Sequence, residues 1–457
     1  MKKIFMKLIW GVISLSIIYF FSSCNDAGVI NPVLKNSQWV RSYGGVNADA
    51  LTFMDITNDG GSIITGYSIS SSFGDNDVYA MKLDDKGNLI WANSFGSSAN
   101  DQSSGVTQAS DGYYIVAGQT NSFGATGFDI YVLKISPGGD VVWSVIYKAP
   151  NDDYAAGVIE SAEGGFVITG YSNSFGSPGN TDIFLMKITN DGDVQWAKSF
   201  GGIENDYATC IRKTSNGYIV GGYTFSYTST NDAFILNFNT NGTIIWSRIY
   251  SGFGDDRILA VEPSGNDFLA VGYTQSFGLT SEDMFILKMD NNGFLYSGTN
   301  GNPRTFGDSA LQSDRAYSIV PTTDGGFFIT GYVSSSPNSQ HLVLLKLFGN
   351  MEYAWSKTYA STGNDAGNFI RRKDANYVIT GNTFAPGSND IYSLSIKDDG
   401  AACSASTNFT PLGGNPQVIE GPVTVIVNDV TSVFQKTGVT SQTGGSGFST
   451  VTNCTSE

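Results

Sequence analysis

The chain is poor in the residues that carry most acid–base and metal chemistry. Among 457 residues there is one histidine, His341, so a Ser-His-Asp triad would have to recruit it and no histidine pair can hold a metal. Four cysteines occur, Cys24, Cys210, Cys403 and Cys454, too scattered for a zinc site. Cations are scarce: 25 Lys and Arg stand against 41 Asp and Glu, for a formal charge of −16. Removing Lys2, Lys3 and Lys7 with a leader takes it to −19, which repels nucleic acid and anionic membrane surfaces. There is no G-x-S-x-G elbow and no phosphate-cradling glycine loop. No leucine ladder or helical period appears, which argues against leucine-rich and ankyrin solenoids. No apolar run reaches the ~20 residues that a spanning helix needs.

What is present is a repeat. A tryptophan stands ten residues before an aspartate six times: Trp39/Asp49, Trp91/Asp101, Trp143/Asp153, Trp196/Asp206, Trp246/Asp256 and Trp355/Asp365. In the copy from 153 to 202, four β-prone runs follow one another: Asp153 to Ile159, Phe166 to Gly170, Asp182 to Ile188 and Val194 to Phe200. Gly, Asn, Asp and Ser bound each run, the punctuation of strands and turns. The glycine closing the second run recurs at Gly66, Gly118, Gly170, Gly222, Gly272, Gly331 and Gly381, at intervals of 50 to 59 residues. Four-stranded units of this length cannot bury both faces alone, and radial stacking solves that; the expectation is an all-β, seven-bladed β-propeller. The array starts with an orphan fourth strand, Trp39 to Tyr43, and ends after a third strand, Asp390 to Ile396. The N-terminal strand is therefore expected to complete the last blade and remove two sheet edges.

The recurring D-G-G-[FY]-x-[IV]-x-G, the Ser-Phe-Gly loop, D-[IVM]-[FY]-x-[LM]-K and the following tryptophan resemble the bacterial SBBP-type β-propeller repeats of secreted and surface proteins. The resemblance covers roughly 39 to 400. It implies architecture and brings no shared catalytic residues. Kelch repeats also carry Gly-Gly and Trp, but here the glycine pair precedes the second strand.

Residues 1–23 have the form of a signal peptide: three lysines, then the fourteen-residue run Leu8 to Phe21. The ending Phe21-Ser22-Ser23-Cys24 resembles a lipobox, which implies cleavage before Cys24, acylation of its thiol and an address in the bacterial cell envelope, at the outer membrane. Residues 24–38 form a tether, 39–400 the propeller and 401–457 a small β extension. In that extension Val423 to Val427 and Val430 to Phe434 flank Asn428-Asp429, the pattern of a β-hairpin, and a Cys403–Cys454 disulfide is expected to link the tail. Cys210 is expected to be a buried free thiol.

Two aspartate series recur at strand starts. Asp49, Asp101, Asp153, Asp206, Asp256, Asp314 and Asp365 open inner strands; Asp77, Asp129, Asp182, Asp232, Asp283 and Asp390 open third strands. Up-and-down pairing puts both sets at one end of the disc, as two concentric acidic rings. A carboxylate repeated in every blade is expected to brace a turn by accepting backbone N–H groups. The other reading is Ca²⁺ binding, although no D-x-D-x-D-G loop occurs. The tryptophans are expected to wedge blade against blade, and Phe73, Phe123, Phe175 and Phe277 of the Ser-Phe-Gly loops either contact a partner or plug gaps.

The sixth unit breaks the pattern. Eight extra residues lie between Tyr296 and Asp314, Tyr296 replaces the tryptophan, and His341 replaces the third-strand aspartate. The sector around 297 to 313, with Tyr296, Arg304, Phe306, Asp314 and His341, is the expected partner site, since loops on a rigid scaffold carry function. The functional expectation is a binding or scaffolding module for an envelope protein or glycan, with no cofactor beyond the Ca²⁺ considered above, no nucleic acid and no membrane contact except the lipid. The alternative is a carbohydrate-active enzyme using face carboxylates, although no spacing singles out an acid–base pair.

Overall fold

The computed structural model describes residues 39–44, 49–69, 73–175, 180–277, 281–296, 303–307, 312–336, 339–359, 364–385 and 388–397, and six short strands between 412 and 455. The leader, Cys24, the tether, Cys403 and the insertion residues 297–302 and 308–311 lie outside the described residues. Every named regular element within them is a strand.

Seven antiparallel sheets form, one per repeat. Blade 1 consists of Asp49–Ile56, Ser62–Ser68, Asp77–Leu83 and Leu89–Gly96. Its second and third strands are buried along almost their whole length because they are covered on both sides, while the fourth is buried at only some positions. Each inner strand carries a bulge near its middle, as between Leu51 and Phe53 or Ala155 and Gly157, which bends it along the channel wall. The ring closes as expected: Trp39–Gly44 pairs antiparallel with Ser388–Lys397, Trp39 opposite Ser395 and Tyr43 opposite Ile391.

The core is divided among the seams. Seven apolar clusters occur among the described residues, and each is shared by two consecutive blades. The tryptophans act as the wedges expected of them. Trp91, Trp143 and Trp246 donate their indole N–H to carbonyls of the next blade's outer turn, at Pro137 (2.9 Å), Asn190 (3.2 Å) and Asn291 (2.9 Å). Each ring lies flat on that turn, where a left-handed glycine leaves room: a Cβ on Gly87 would sit 2.7 Å from the Trp39 ring. The Ser-Phe-Gly rings mostly plug gaps, Phe123 on Tyr131, Phe175 on Phe184 and Phe277 on Phe285, whereas Phe73 stays exposed.

The C-terminal extension differs from the expected hairpin. Ile426–Asp429 is a strand that runs through Asn428-Asp429, so no turn lies there, and it pairs with the fourth strand of blade 3. The other tail strands do likewise on different blades. Leu412–Gly414 lies on blade 5, Ile419–Pro422 on blade 4, Gln435–Gly438 on blade 2, Gln442–Gly445 on blade 1 and Ser449–Thr455 on the Trp39–Gly44 strand of blade 7. The tail is a belt that circles the rim against the direction of the main chain and gives six blades a fifth strand. The cause is the outer edge of each fourth strand, a row of backbone donors and acceptors that would otherwise template association. Lys436 adds a side-chain clamp, donating to the Asp191 carbonyl (2.8 Å) and the Asp193 carboxylate (2.7 Å) of blade 3.

A chain ending at residue 411 is expected to keep its far-ultraviolet β signal but to self-associate as these edges open; light scattering reads this, and a monomer as stable as the full chain would refute the role given to the belt.

Candidate functional site

The aspartate rings are not an exposed acidic face. Asp49, Asp101, Asp153, Asp206, Asp256 and Asp314 are almost fully buried, and Asp365 is 3% exposed. Each of those with described partners braces a loop. Asp101 accepts from Ser97 N (2.8 Å), Ser122 Oγ (3.0 Å) and Thr120 Oγ1; Asp206 from Gly202 N (2.7 Å) and Ser226 Oγ (2.8 Å); Asp314 from Ser334 N (2.9 Å). Third-strand aspartates of one blade meet inner-strand aspartates of the next beneath a fourth-strand glycine: a Cβ on Gly96 would sit 2.0 Å from Asp77 and 2.6 Å from Asp101. Among the described residues no three His, Cys, Asp or Glu side chains converge as metal ligands.

Burial of these carboxyls disfavours their charged form. It pushes Asp77, Asp153 and Asp182 up to about 7 and Asp232 and Asp256 up to about 6, with the facing aspartate adding to the rise at Asp77 and Asp182.

The five residues expected to form a partner sector lie on different elements of blades 5 and 6. Tyr296 is 46% exposed and donates to Asp267 (2.5 Å) beside the outer turn of blade 5. Arg304 and Phe306 lie on the fourth strand of that blade, Phe306 within the seam to blade 6. Asp314 is buried at the start of the sixth inner strand, and His341 is half-buried on a third strand, opposite Val333. Cys210 is a buried free thiol whose pKa burial raises.

Other residues do converge. The inner strands line a central channel, and their second residues pair across to the residue after the second-strand glycine: Tyr154 with Tyr171, Tyr207 with Tyr223, Arg257 with Tyr273, Arg315 with Tyr332. At blades 3 to 6 these side chains link into one arc near the mouth. Ring centroids lie 5.3 Å apart for Phe128–Tyr154, 5.1 Å for Tyr154–Tyr171, 5.1 Å for Tyr171–Tyr207 and 4.8 Å for Tyr207–Tyr223. Arg257 then stacks over Tyr223 at 4.2 Å and Arg315 over Tyr273 at 4.3 Å. Asp255 pairs with Arg257 (2.8 Å) and Glu282 grips Arg315 through both of its terminal oxygens. On the opposite side the equivalent pairs are Ala50–Tyr67, Gln102–Gln119 and Ala366–Asn382, so the mouth is chemically two-sided.

At the blade 3 end, the arc abuts a polar groove of about 330 Å³ lined by Thr126, Gly127, Pro150, Asn151, Asp152 and Asn173. Asp152 holds Phe128 in place by accepting its backbone N–H (2.8 Å), and Asn151 donates to the Asn173 carbonyl (2.9 Å). Asn151, Asn173 and Thr126 are exposed. A groove with amide, hydroxyl and carboxylate groups beside a run of half-buried rings suits a hydroxyl-rich ligand with an apolar face.

The fold defines a seven-bladed β-propeller. No protein-family model matches the chain. It is similar to regulatory protein FlaEY of Caulobacter vibrioides, 28% identical over 207 residues, a stretch covering 40% of this chain. That stretch spans 21% of the length of FlaEY, about a fifth of that protein. Solved structures similar to the chain include Sqt1 from Chaetomium thermophilum (10% identity, TM-score 0.42, 77% of this chain and 82% of that one). Another is a candidate 6-phosphogluconolactonase from Bacteroides uniformis (12% identity, TM-score 0.42, 84% and 100%).

The seam carboxyls fix the sign of a pH effect. Folding raises them above the ordinary carboxyl value of 3.8, so the folded chain holds protons the unfolded chain has lost, and their contribution to stability falls as pH rises through about 6 to 7. Asp59 and Asp324 act oppositely: burial raises them, but hydrogen bonds from Thr57 and Lys82, and from Lys346 and Thr322, outweigh it and hold both at about 2, so their loss falls below pH 4. The Tm is expected to drop by ~5 °C or more between pH 5 and pH 8. Asp182→Asn should flatten that slope in calorimetry; an unchanged slope would contradict the seam assignment.

Proposed function

We propose that this protein is a glycan-binding propeller of the bacterial cell envelope, held at the outer membrane by acylated Cys24 and related to the SBBP-type repeats it resembles. The observation that carries the ligand class is the contiguity of the Asn151/Asp152/Asn173 groove with the Phe128–Tyr154–Tyr171 rings. The groove groups offer hydrogen bonds to sugar hydroxyls, and the rings offer a face for the apolar side of a pyranose. The rigid ring of blades holds these groups in place before binding, which limits the ordering cost.

Binding is favoured over hydrolysis by the placement of the carboxyls. Glycoside cleavage needs two carboxyl groups flanking the bond, and among the described residues only Asp152 supplies a carboxyl to the groove. Its neighbour Asp153 is buried, with Ser172 and Ser174 hydroxyls on its two oxygens. The acyl anchor rests on the Phe21-Ser22-Ser23-Cys24 sequence, and the mass of the N-terminal peptide from membrane fractions tests it.

The mature 24–457 chain is expected to retain envelope polysaccharide on an array, with Asp152→Ala or Phe128→Ala weakening retention by about tenfold or more while the Tm stays within a few degrees. Capture of a protein with no glycan retained, or retention indifferent to both substitutions, would overturn the glycan reading.

A further inference from the structure

Below the mouth the channel holds a cavity of about 190 Å³ to which all seven blades contribute. That is many times the ~10–15 Å³ one water requires on the same measure. One wall is aromatic: Phe53 of blade 1 and Phe369 of blade 7 lie 4.9 Å apart, with Leu259 and Tyr317 also in the lining, while Thr52, Ser104, Thr209 and Ser318 add hydroxyl groups. Two guanidinium groups share the Phe53 ring, Arg212 at 5.8 Å and Arg371 at 5.6 Å.

The hydrogen bonds of these two arginines are unevenly matched. Arg212 is tied to Glu262 (3.0 Å) and to the Ile211 carbonyl (2.9 Å). Arg371 donates through Nη1 to Ser318 (3.2 Å) and to the Ile370 carbonyl (3.0 Å) but reaches Asp55 only at 3.9 Å, and its buried Nη2 has no partner among the described residues. Asn368, three residues earlier on the same strand and lining the cavity, has a buried Oδ1 that is likewise unpartnered. Burial and the Arg212 charge draw the Arg371 guanidinium down to about 10, against the opposing pull of Glu262 and Asp55, and burial raises the Asp55 carboxyl. A purely structural quartet would satisfy its donors, because an unmet buried polar group costs more than a mean hydrogen bond returns.

We propose that this cavity binds a small, flat organic carboxylate that also carries a hydroxyl or amino donor, its carboxylate toward Arg212 in the wall and toward Arg371, which adjoins the lining residues Ser318 and Phe53, its donor at Asn368 Oδ1 and its ring against Phe53 and Phe369. A charge-assisted bond to a guanidinium supplies selectivity for the anion, and the aromatic wall supplies selectivity for a planar body. The site is distinct from the glycan groove and does not depend on it.

The test is calorimetric titration of the mature 24–457 chain with 4-hydroxybenzoate as the probe, alongside 4-hydroxybenzamide and benzoate. The expected dissociation constant is on the order of 0.1–1 mM, with the neutral amide at least about tenfold weaker. Arg371→Met should weaken 4-hydroxybenzoate by about tenfold or more, and Asn368→Ala should reduce its advantage over benzoate. If Arg371→Met does not fold, Leu259→Trp, which fills the cavity without altering charge, should abolish binding. Asp152→Ala should leave all three titrations unchanged, which separates failure here from failure of the glycan reading. No heat or chemical shift perturbation up to 10 mM, equal binding of acid and amide, or binding that survives Leu259→Trp would overturn the proposal.

Discussion

A blade with two apolar faces can bury them only against other blades, and the whole molecule follows from that constraint. The seven clusters lie between blades, so no blade owns a core and the ring is stable only when it is closed. Closure in turn fixes what each seam must contain. On the side of the outer turns a tryptophan lies flat on the neighbour's glycine turn; at the other end the chain steps to the next blade and its backbone amides need acceptors. The aspartates meet that need, Asp101 for Ser97 and Asp206 for Gly202, and their burial is the cost of the crossing. Stacking apolar faces therefore also creates the buried carboxyl pairs that make stability depend on pH.

Much of this was legible in the sequence because every copy repeats the same statement. Strand count, blade number, ring closure by Trp39–Gly44 and the wedge role of the tryptophans follow from period and end matching. One exception was legible as well, though its reason needed the structure. Tyr296 stands where blade 5 should carry a tryptophan, and the outer turn of blade 6 has Met351 in the left-handed position that Gly87, Gly139, Gly192, Gly242 and Gly293 occupy elsewhere. Met351 is buried in the seam cluster of blades 5 and 6. The two departures compensate: with no indole lying on the turn, a side chain fits there and fills the seam. The sixth unit's irregularity is thus partly a packing solution.

Two features could not be foreseen from strand signals. The belt strands number three to seven residues each, too short for alternation to register, and their partners are more than a hundred residues away; Gln442–Gly445 pairs with Leu89–Gly96. Valine-rich segments around Asn428-Asp429 satisfied a local hairpin rule, and long-range pairing with blade 3 overrode it because the rim edges offered more unpaired backbone than a hairpin would. A faint signal existed in the spacing of the tail strands, which start at 412, 419, 426, 435, 442 and 449. The loop-bracing role expected of the aspartates holds, at Asp101 and Asp206 among others, but their burial needed the structure. Their place at strand ends was readable, but a strand-end position does not say whether a loop covers it.

The channel mouth is not legible in the recurring pattern, because its residues are the ones that do not recur. Inside a repeat, a structural position keeps its residue, while a position free of structural duty can change. The second residue of the inner strand reads Ala50, Gln102, Tyr154, Tyr207, Arg257, Arg315 and Ala366, next to an aspartate that never changes. That contrast is the signal: the aspartate holds the crossing, and its neighbour faces the mouth. Because seams, ring closure and belt supply stability from the middle of the blades outward, the innermost positions need not contribute to it. They can hold half-buried tyrosines, stacked arginines and, at Arg371, a guanidinium with a buried unpartnered Nη2, groups that would be a liability in a core on which the fold depended. The architecture separates holding the ring together from presenting chemistry at its axis, and the departure from seven-fold sameness along the inner strands marks where the second task lies.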